Sequence, residues 1–439
     1  MRRINETNEY VRIDKVIIER LFGYLDYNIN YKNDEHVSIF IAPNGCGKTT
    51  IFNILNFMCY PSPERLEIIR GIPFNKFICV LSTGDSIAME KRPVQLARRD
   101  LDPPLPDFDY LFTIYGPNGI SYGTVELNSF KRLEKSIKRF YIEGSGAKNR
   151  SFAEGEKLIF EDYAQMLCRE LRDVLSRANL IRNLMDTLYL TANFEECHTL
   201  PDANDYITRQ LIQKMRRMYG SRLSKLWDEL PYLYLGQDEP TMPESEFCRQ
   251  WLDYVERLQL IAKIGLIEQV DTLNIENILQ RPAEIKAAYA RKKAFLYLYL
   301  QSARATLFNR ELISAYRKLK LFADIFAERN RITQKKLVFT EDGIKVMMHG
   351  IEIPLDCLSS GEKHDFLMFF HLIFIADPGN ILLIDEPEIS LHIEWQERYL
   401  DDLLKICEIN NLQAIVATHS PSIVNGHFEL YAKKEVNNE

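Results

Sequence analysis

The sequence predicts an α/β fold with a mainly parallel sheet, an antiparallel β subdomain and a large α-helical insertion. Three observations carry this prediction. The nearly continuous apolar runs Val37–Ala42, Ile381–Ile384 and Ala414–Ala417 mark strands buried on both faces, as parallel strands are. A glycine-rich segment follows the first run and leads into Ile51, Ile54, Leu55 and Met58 at helical spacing. Between about 131 and 330 the strand signals vanish, and Leu, Arg, Glu, Ala and Lys take over.

Taken in order, Val11–Ile18 is apolar and β-branched enough for a first strand. Val37–Ala42 follows as a buried strand, and the helix after the glycine-rich segment stops at Pro61. From about Phe74 to Phe130, segments such as Lys76–Val80 and Tyr110–Ile114 alternate with turn residues, the pattern of an antiparallel sheet. Helices then dominate, broken near Pro201, Pro231–Pro243 and Pro282. Strand signals return at Leu337–Thr340 and Ile344–Val346, separated by a Glu341-Asp342-Gly343 turn. The run from about 361 to 376 is apolar almost all round, which fits a buried helix. Ile381–Ile384 and Ala414–Ala417 flank a helix from about Glu394 to Cys407, the alternation that builds a parallel sheet. The predicted division is 1–130, 131–330 for the helical insertion and 331–439, with the outer parts forming two halves of one core.

A chain of 439 residues accommodates two or three structural units. Its net charge of -7 argues against nucleic-acid binding over the whole surface and leaves room for a local basic face. Eight cysteines without a CxxC pair exclude a zinc ribbon and fit reduced thiols in a cytosol. The N-terminus, MRRINETNEY, lacks the apolar core of a signal peptide. The longest apolar run, Phe366–Ala376, is too short to span a bilayer. The expectation is a soluble, cytoplasmic protein with no membrane partner.

Ala42-Pro43-Asn44-Gly45-Cys46-Gly47-Lys48-Thr49-Thr50 lies between a strand and a helix, the context that a phosphate loop needs. Glycines let backbone N–H groups close around phosphate oxygens, and the helix N-terminus adds its positive dipole. Lys48 would meet the β- and γ-phosphates, and Thr49 offers Mg²⁺ a hydroxyl. Ala42 replaces the usual first glycine, and Cys46 stands where serine is common; both are small. The predicted ATP contacts are Asn44, Gly45, Cys46, Gly47, Lys48, Thr49 and Thr50. Near the other end, Ile381–Ile384 delivers Asp385 as a second Mg²⁺ ligand and Glu386 as the group that activates water against the γ-phosphate. ATP and Mg²⁺ are the ligands implied.

Further motifs follow in a familiar order. Pro387, Ser390 and His392 after the carboxylate pair resemble the Walker B and D-loop of ABC ATPases. Leu358-Ser359-Ser360-Gly361-Glu362-Lys363 resembles the ABC signature motif, and Ala417-Thr418-His419-Ser420-Pro421 the switch-histidine segment. Together LSSGEKH, LLIDEPEISLHIEWQ and ATHSP resemble the ABC-superfamily branch that holds the AAA-type ATPases of overcoming-lysogenisation-defect proteins and of several bacterial antiphage systems. The resemblance covers the two ends of the chain and leaves the helical insertion uncovered.

It implies an ABC-type ATPase head in which Glu386 and His419 are catalytic. Ser359, Ser360, Gly361 and Glu362 would complete the site of an opposing copy, with Ser390, Leu391 and His392 in the D-loop. It also implies a homodimer or higher homo-oligomer joined by an ATP sandwich. Arg20-Leu21-Phe22-Gly23 resembles the turn near the adenine base in related heads, and Gln95 lies in a stretch suited to the Q-loop glutamine. In overcoming-lysogenisation-defect proteins a Toprim nuclease follows the ATPase, whereas this sequence ends 20 residues after His419. A separately encoded nuclease or toxin is therefore the expected effector, as in Septu or the phage anti-restriction-induced system.

Two basic clusters, Lys131–Arg139 and Lys214–Tyr219, offer phosphate contacts, and Tyr219 offers a ring for base stacking. Acidic neighbours make a solvated helix face the plainer reading. The Phe295–Leu300 aromatic run reads as core or partner groove, and Cys197-His198 lacks the second pair that a metal site needs. The leading expectation is an ATPase that controls an effector in antiphage defence. The alternative is a DNA-repair or recombination ATPase that clamps DNA. A membrane-transporter motor is disfavoured by the size of the insertion.

Overall fold

The computed structural model describes residues 10–31, 35–93, 108–126, 152–177, 188–190, 199–220, 242–264, 266, 283–287, 296–297, 299–301, 303–304, 309–340, 342–389, 391 and 393–437. Gln95, the Lys131–Arg139 cluster, Cys197, His198, Ser390 and His392 lie outside the described residues. Two compact units emerge, one made of residues 1–194 and 377–439, the other of 195–376.

In chain order the elements are β1 (Ile13–Leu21), β2 (Leu25–Asn30), β3 (Val37–Ile41), α1 (Lys48–Cys59), α2 (Pro63–Arg70), β4 (Lys76–Leu81), β5 (Ser86–Pro93), β6 (Phe108–Tyr115), β7 (Ser121–Glu126), α3 (Phe152–Arg177) and β8 (Leu188–Leu190). The second unit adds α4 (Leu200–Asp205), α5 (Glu244–Lys263), α6 (Arg310–Arg329), β9 (Lys335–Phe339), β10 (Ile344–Met348), β11 (Ile351–Ile353) and α7 (Ser360–Phe370). The chain returns to the first unit with β12 (Ile381–Asp385), α8 (Tyr399–Asn410), β13 (Gln413–Thr418) and β14 (Lys433–Asn437).

The first unit holds two sheets. One is parallel, in the order β3-β13-β12-β8; the other has seven strands in the order β14-β2-β1-β4-β5-β6-β7, all paired antiparallel. Helix α1 joins them. Its Ile51, Phe52, Ile54, Leu55, Phe57 and Met58 are fully buried, so it presents apolar surface all round rather than one stripe. Phe57 packs against Phe112 of β6, with ring centroids 5.8 Å apart, while α1 also touches β12 of the parallel sheet. Gln413 clips the two sheets together: Ile13 N–H donates to its Oε1 at 2.7 Å, and its Nε2 donates to Ile13 O at 2.8 Å. The buried amide side chain thus acts as a missing ladder rung.

The sequence reading passed over the short strands β2 and β11, and β8 and β14 lie where it expected no strand at all. β8, only Leu188-Tyr189-Leu190, extends the parallel sheet beyond β12 from within the stretch read as purely helical. It is too short to show a period. β14 lies beyond the last strand the sequence predicted, and it completes the antiparallel sheet at the β2 edge.

In the second unit, α5 buries Phe247, Trp251, Tyr254 and Leu258 along one face. The Tyr254 and Tyr299 hydroxyls meet at 3.0 Å, and Leu296 and Leu300 are buried with them, so the described part of the aromatic run is core. Helix α6 turns Leu312, Ala315, Leu319, Phe322 and Phe326 inward, and Phe322 meets Phe366 of α7 edge-on at 4.9 Å. The β11-β10-β9 sheet belongs to this unit as well. Among the described residues no helix is long and apolar enough to cross a membrane. The described cysteines are all free.

Candidate functional site

The register of the parallel sheet brings three chain segments level. Thr418 of β13 pairs with Ile41 of β3, and Ala417 pairs with Asp385 of β12. The carboxyl ends of β3, β12 and β13 therefore finish side by side, where open α/β sheets place their ligand sites. β3 runs into the 42–47 loop, β12 into Asp385-Glu386, and β13 into Thr418-His419.

The loop has the backbone that its sequence requires. Gly45 and Gly47 have φ of +82° and +81°, the left-handed region in which a side chain is strained. A Cβ on Gly47 would lie 2.8 Å from Leu21 Cδ2 and 3.0 Å from Phe22 Cε2. The Arg20–Gly23 turn thus packs directly on the loop, and only hydrogen at position 47 leaves it room. The Tyr27 hydroxyl braces the other side by donating to Cys46 O at 2.8 Å. Burial, helped by Cys46, pushes the Tyr27 phenol up to about 12, so it keeps the proton it donates. Thr49 is exposed on the first turn of α1, and Asp385 is buried at the end of β12.

Lys48 is 4 % exposed, and its ammonium is held by Ala42 O at 2.9 Å, Pro43 O at 3.3 Å and Asn44 Oδ1 at 3.3 Å. It also forms an ion pair with Glu386 Oε1 at 3.3 Å. Glu386 has φ +47°, an uncommon conformation for a side-chain-bearing residue, and its N–H donates to Ala417 O at 2.8 Å. His419 Nδ1 is 3.6 Å from the same Glu386 oxygen. Backbone strain on Glu386 therefore goes together with a carboxylate set between the loop lysine and the histidine.

The loop glycines, helix N-terminus, buried lysine and paired carboxylates form a cradle that fits a nucleoside triphosphate with a hard divalent cation. Lys48, Glu386 and His419 converge as the sequence suggested. Leu391 is buried; Ser390 and His392, expected beside it in a D-loop, are outside the described residues.

Ser359, Ser360 and Gly361 lie in the other unit, exposed at the N-terminus of α7. Ser359 is the N-cap of a capping box: its Oγ accepts from Glu362 N–H, and Glu362 Oε2 accepts from Ser359 N–H at 2.8 Å. Glu362 turns inward, where Lys335 Nζ donates to both of its oxygens at 2.7 and 2.9 Å. Arg329 forms a second buried pair with Asp365 at 3.2 Å and lies over the Phe369 ring. Glu362 therefore serves its own helix, and the exposed part of the signature is Ser359–Gly361.

Tyr219, the proposed stacking ring, is buried and donates to Asn309 Oδ1 at 2.8 Å. It is a core residue. Sequence reasoning missed Tyr27, Lys335, Arg329 and Glu388. Only Glu388 gave a local signal, as the second carboxylate of Asp-Glu-Pro-Glu.

Residues 273–425 match the profile of a family described as "AAA domain, putative AbiEii toxin, Type IV TA system". That stretch takes in Ser359–Glu362, Asp385, Glu386 and His419 and does not include the 42–50 loop. No curated protein matches the chain. Among solved structures, the head of an SMC protein bound to the C-terminal winged-helix domain of ScpA is similar at 13 % identity. The match covers 97 % of each chain with a TM-score of 0.34, too low to add to what strand order and loop geometry show. Residues 273–425 are thus similar to an AAA domain, and β3, β13, β12 and β8 form one parallel sheet.

Proposed function

We propose that this protein binds ATP with Mg²⁺ between the 42–50 loop and the ends of β12 and β13, hydrolyses it, and uses the cycle to control assembly. The observation that supports this best is the convergence of Lys48, Glu386 and His419, with Lys48 and His419 reaching the same Glu386 oxygen. Backbone N–H groups of residues 45–50 would hold the phosphates, and Lys48 would neutralise their charge. Thr49 and Asp385 would hold Mg²⁺, which supplies charge neutralisation at the β- and γ-phosphates. Glu386 would take the proton of the attacking water, and His419 would contact the γ-phosphate. Ser359–Gly361 of a second copy would close the site from the opposite side, because an exposed capped helix N-terminus is a natural anion partner.

In this reading the cycle governs a separately encoded effector, a nuclease or toxin, in defence against phage. The toxin–antitoxin description of the matching family and the LSSGEKH, LLIDEPEISLHIEWQ and ATHSP motifs support it. The test is ATP turnover by the purified protein with and without Mg²⁺, beside Lys48→Ala, followed by phage challenge of cells carrying the native neighbouring genes. Turnover that requires Mg²⁺ and Lys48 supports the site, and turnover without either removes it. Protection that disappears in Lys48→Ala supports the defence role; no protection by the wild type overturns it.

A further inference from the structure

We propose that Glu388 is a positioning residue: it holds His419 in place and fixes which ring nitrogen faces the nucleotide. The inference rests on the ATPase reading for its kinetics but not for its geometry.

Asp385-Glu386-Pro387-Glu388 places two glutamates on either side of a proline, and their surroundings differ. Glu386 is 24 % exposed and faces Lys48. Glu388 is 8 % exposed and faces the end of β13. Its Oε1 accepts the Thr418 hydroxyl at 2.7 Å and the His419 backbone N–H at 3.1 Å, and lies 3.1 Å from His419 Nδ1. One oxygen thus gathers the backbone and the ring of the histidine together with the residue before it.

A second strut repeats the connection. Gln396 Nε2 donates to Glu388 O and Leu391 O, each at 3.1 Å, and Ser420 Oγ donates to Gln396 Oε1 at 3.3 Å. The turn after β12 and the turn after β13 are therefore tied on both sides of His419.

The ring geometry gives this tie a chemical consequence. Nδ1 lies 3.1 Å from Glu388 Oε1 and 3.6 Å from Glu386 Oε1, so two carboxylate oxygens favour the tautomer that carries its proton there. Nε2 is then the nitrogen left for the ligand side, and His419 is 42 % exposed. A carboxylate behind a functional histidine sets its tautomer and aim in this way. Glu388 Oε2 is buried without a hydrogen-bond partner among the described residues. A carboxylate kept there at a desolvation cost serves orientation better than it serves stability.

The competing explanation is that Glu388 only seals the turn through Thr418. Glu388→Gln separates the two, because its amide oxygen can still accept from Thr418 and from His419 N–H while the charge facing Nδ1 is gone. In full-length protein, kcat for ATP should fall about 10- to 100-fold. KM and the affinity for a fluorescent ATP analogue should stay within about twofold, since the loop and Lys48 are untouched. In a His419→Ala background the same substitution should change kcat by less than about twofold. Losses that multiply in the double variant, or wild-type kcat in Glu388→Gln, overturn the proposal and leave the ATPase reading standing.

Should the wild type show no turnover, the ATPase reading fails and the geometry is still testable. Nitrogen-15 spectra of histidine-labelled protein read the His419 tautomer directly, with its signals assigned by their loss in His419→Ala. A proton on Nδ1 in the wild type, lost or shared in Glu388→Gln, supports the proposal. A proton on Nε2 alone in the wild type overturns it.

Discussion

The Lys48 ammonium lies 3.3 Å from Glu386 Oε1, joining the start of α1 to the end of β12 across most of the sequence. Lys48→Ala removes both this pair and the cation that would meet the phosphates. Hydrogen bonds to charged groups contribute about 1.5–3 kcal/mol each, so ATP affinity should drop at least about tenfold for one contact and about 100-fold or more for two. Titration with a fluorescent ATP analogue measures this, and an unchanged affinity would remove the loop as the site.

Glu386→Gln retains the size of the side chain and the backbone bond to Ala417 and loses only the charge. Without a proton acceptor at the attacking water, turnover should fall about 10²- to 10⁴-fold while ATP still binds. Light scattering with ATP should then show a longer-lived dimer than the wild type gives. A variant that retains half its turnover would take Glu386 out of this role.

Gly45 and Gly47 share nearly the same φ and differ in their neighbours. A Cβ on Gly45 meets nothing within 4 Å, whereas one on Gly47 meets Leu21 at 2.8 Å. Gly45→Ala should cost only the left-handed strain, about 1–2 kcal/mol. Gly47→Ala should cost more, and it should also weaken nucleotide binding by displacing Phe22. Urea unfolding of both variants checks the order, and equal losses would show that the Leu21–Phe22 turn yields freely.

Ser359→Asp separates capping from chemistry. Aspartate caps a helix as well as serine does, so stability should stay within about 0.5 kcal/mol. Its charge would oppose any anion approaching the exposed N-terminus of α7, so turnover should collapse while single-copy nucleotide binding persists. Turnover like that of the wild type would exclude Ser359 from the closed site.

The grouping of the candidate site's residues was legible because their signals are local in sequence. Glycines that need positive φ, a lysine at a helix start and paired carboxylates after an apolar strand each declare themselves within a few residues. What escaped depends on distant partners. β8 has three residues and gains its identity only by pairing with β12. Glu362 looked like part of an exposed motif, yet Lys335, which lies 27 positions earlier, draws it inward. Tyr219 stands in a basic cluster like a nucleic-acid contact, and its burial and its bond to Asn309 show it to be core. Glu388 sits beside Glu386 in the chain, but the strand order assigns it to His419.

The Lys335–Glu362 pair gives a pH dependence with a definite sign. Burial acts to raise the Glu362 carboxyl, but the Lys335 ammonium and the Ser359 contacts outweigh it, and the group is held below the ordinary carboxylate range. A carboxylate lowered by folding stabilises above its unfolded value of about 4.3 and loses that contribution as pH falls through the folded value. Lys335→Met removes the largest lowering influence and leaves burial opposed by the Ser359 contacts alone, so the carboxyl moves up from its wild-type position. The variant should be about 1–3 kcal/mol less stable at neutral pH, because a buried charge has lost its partner. As pH falls from 7 towards 4, Glu362 takes up a proton more readily in the folded variant than in the folded wild type, and the gap between them should narrow. Urea midpoints of both proteins at several pH values in that window test this. A gap that stays constant with pH would mean that Lys335 contributes packing alone.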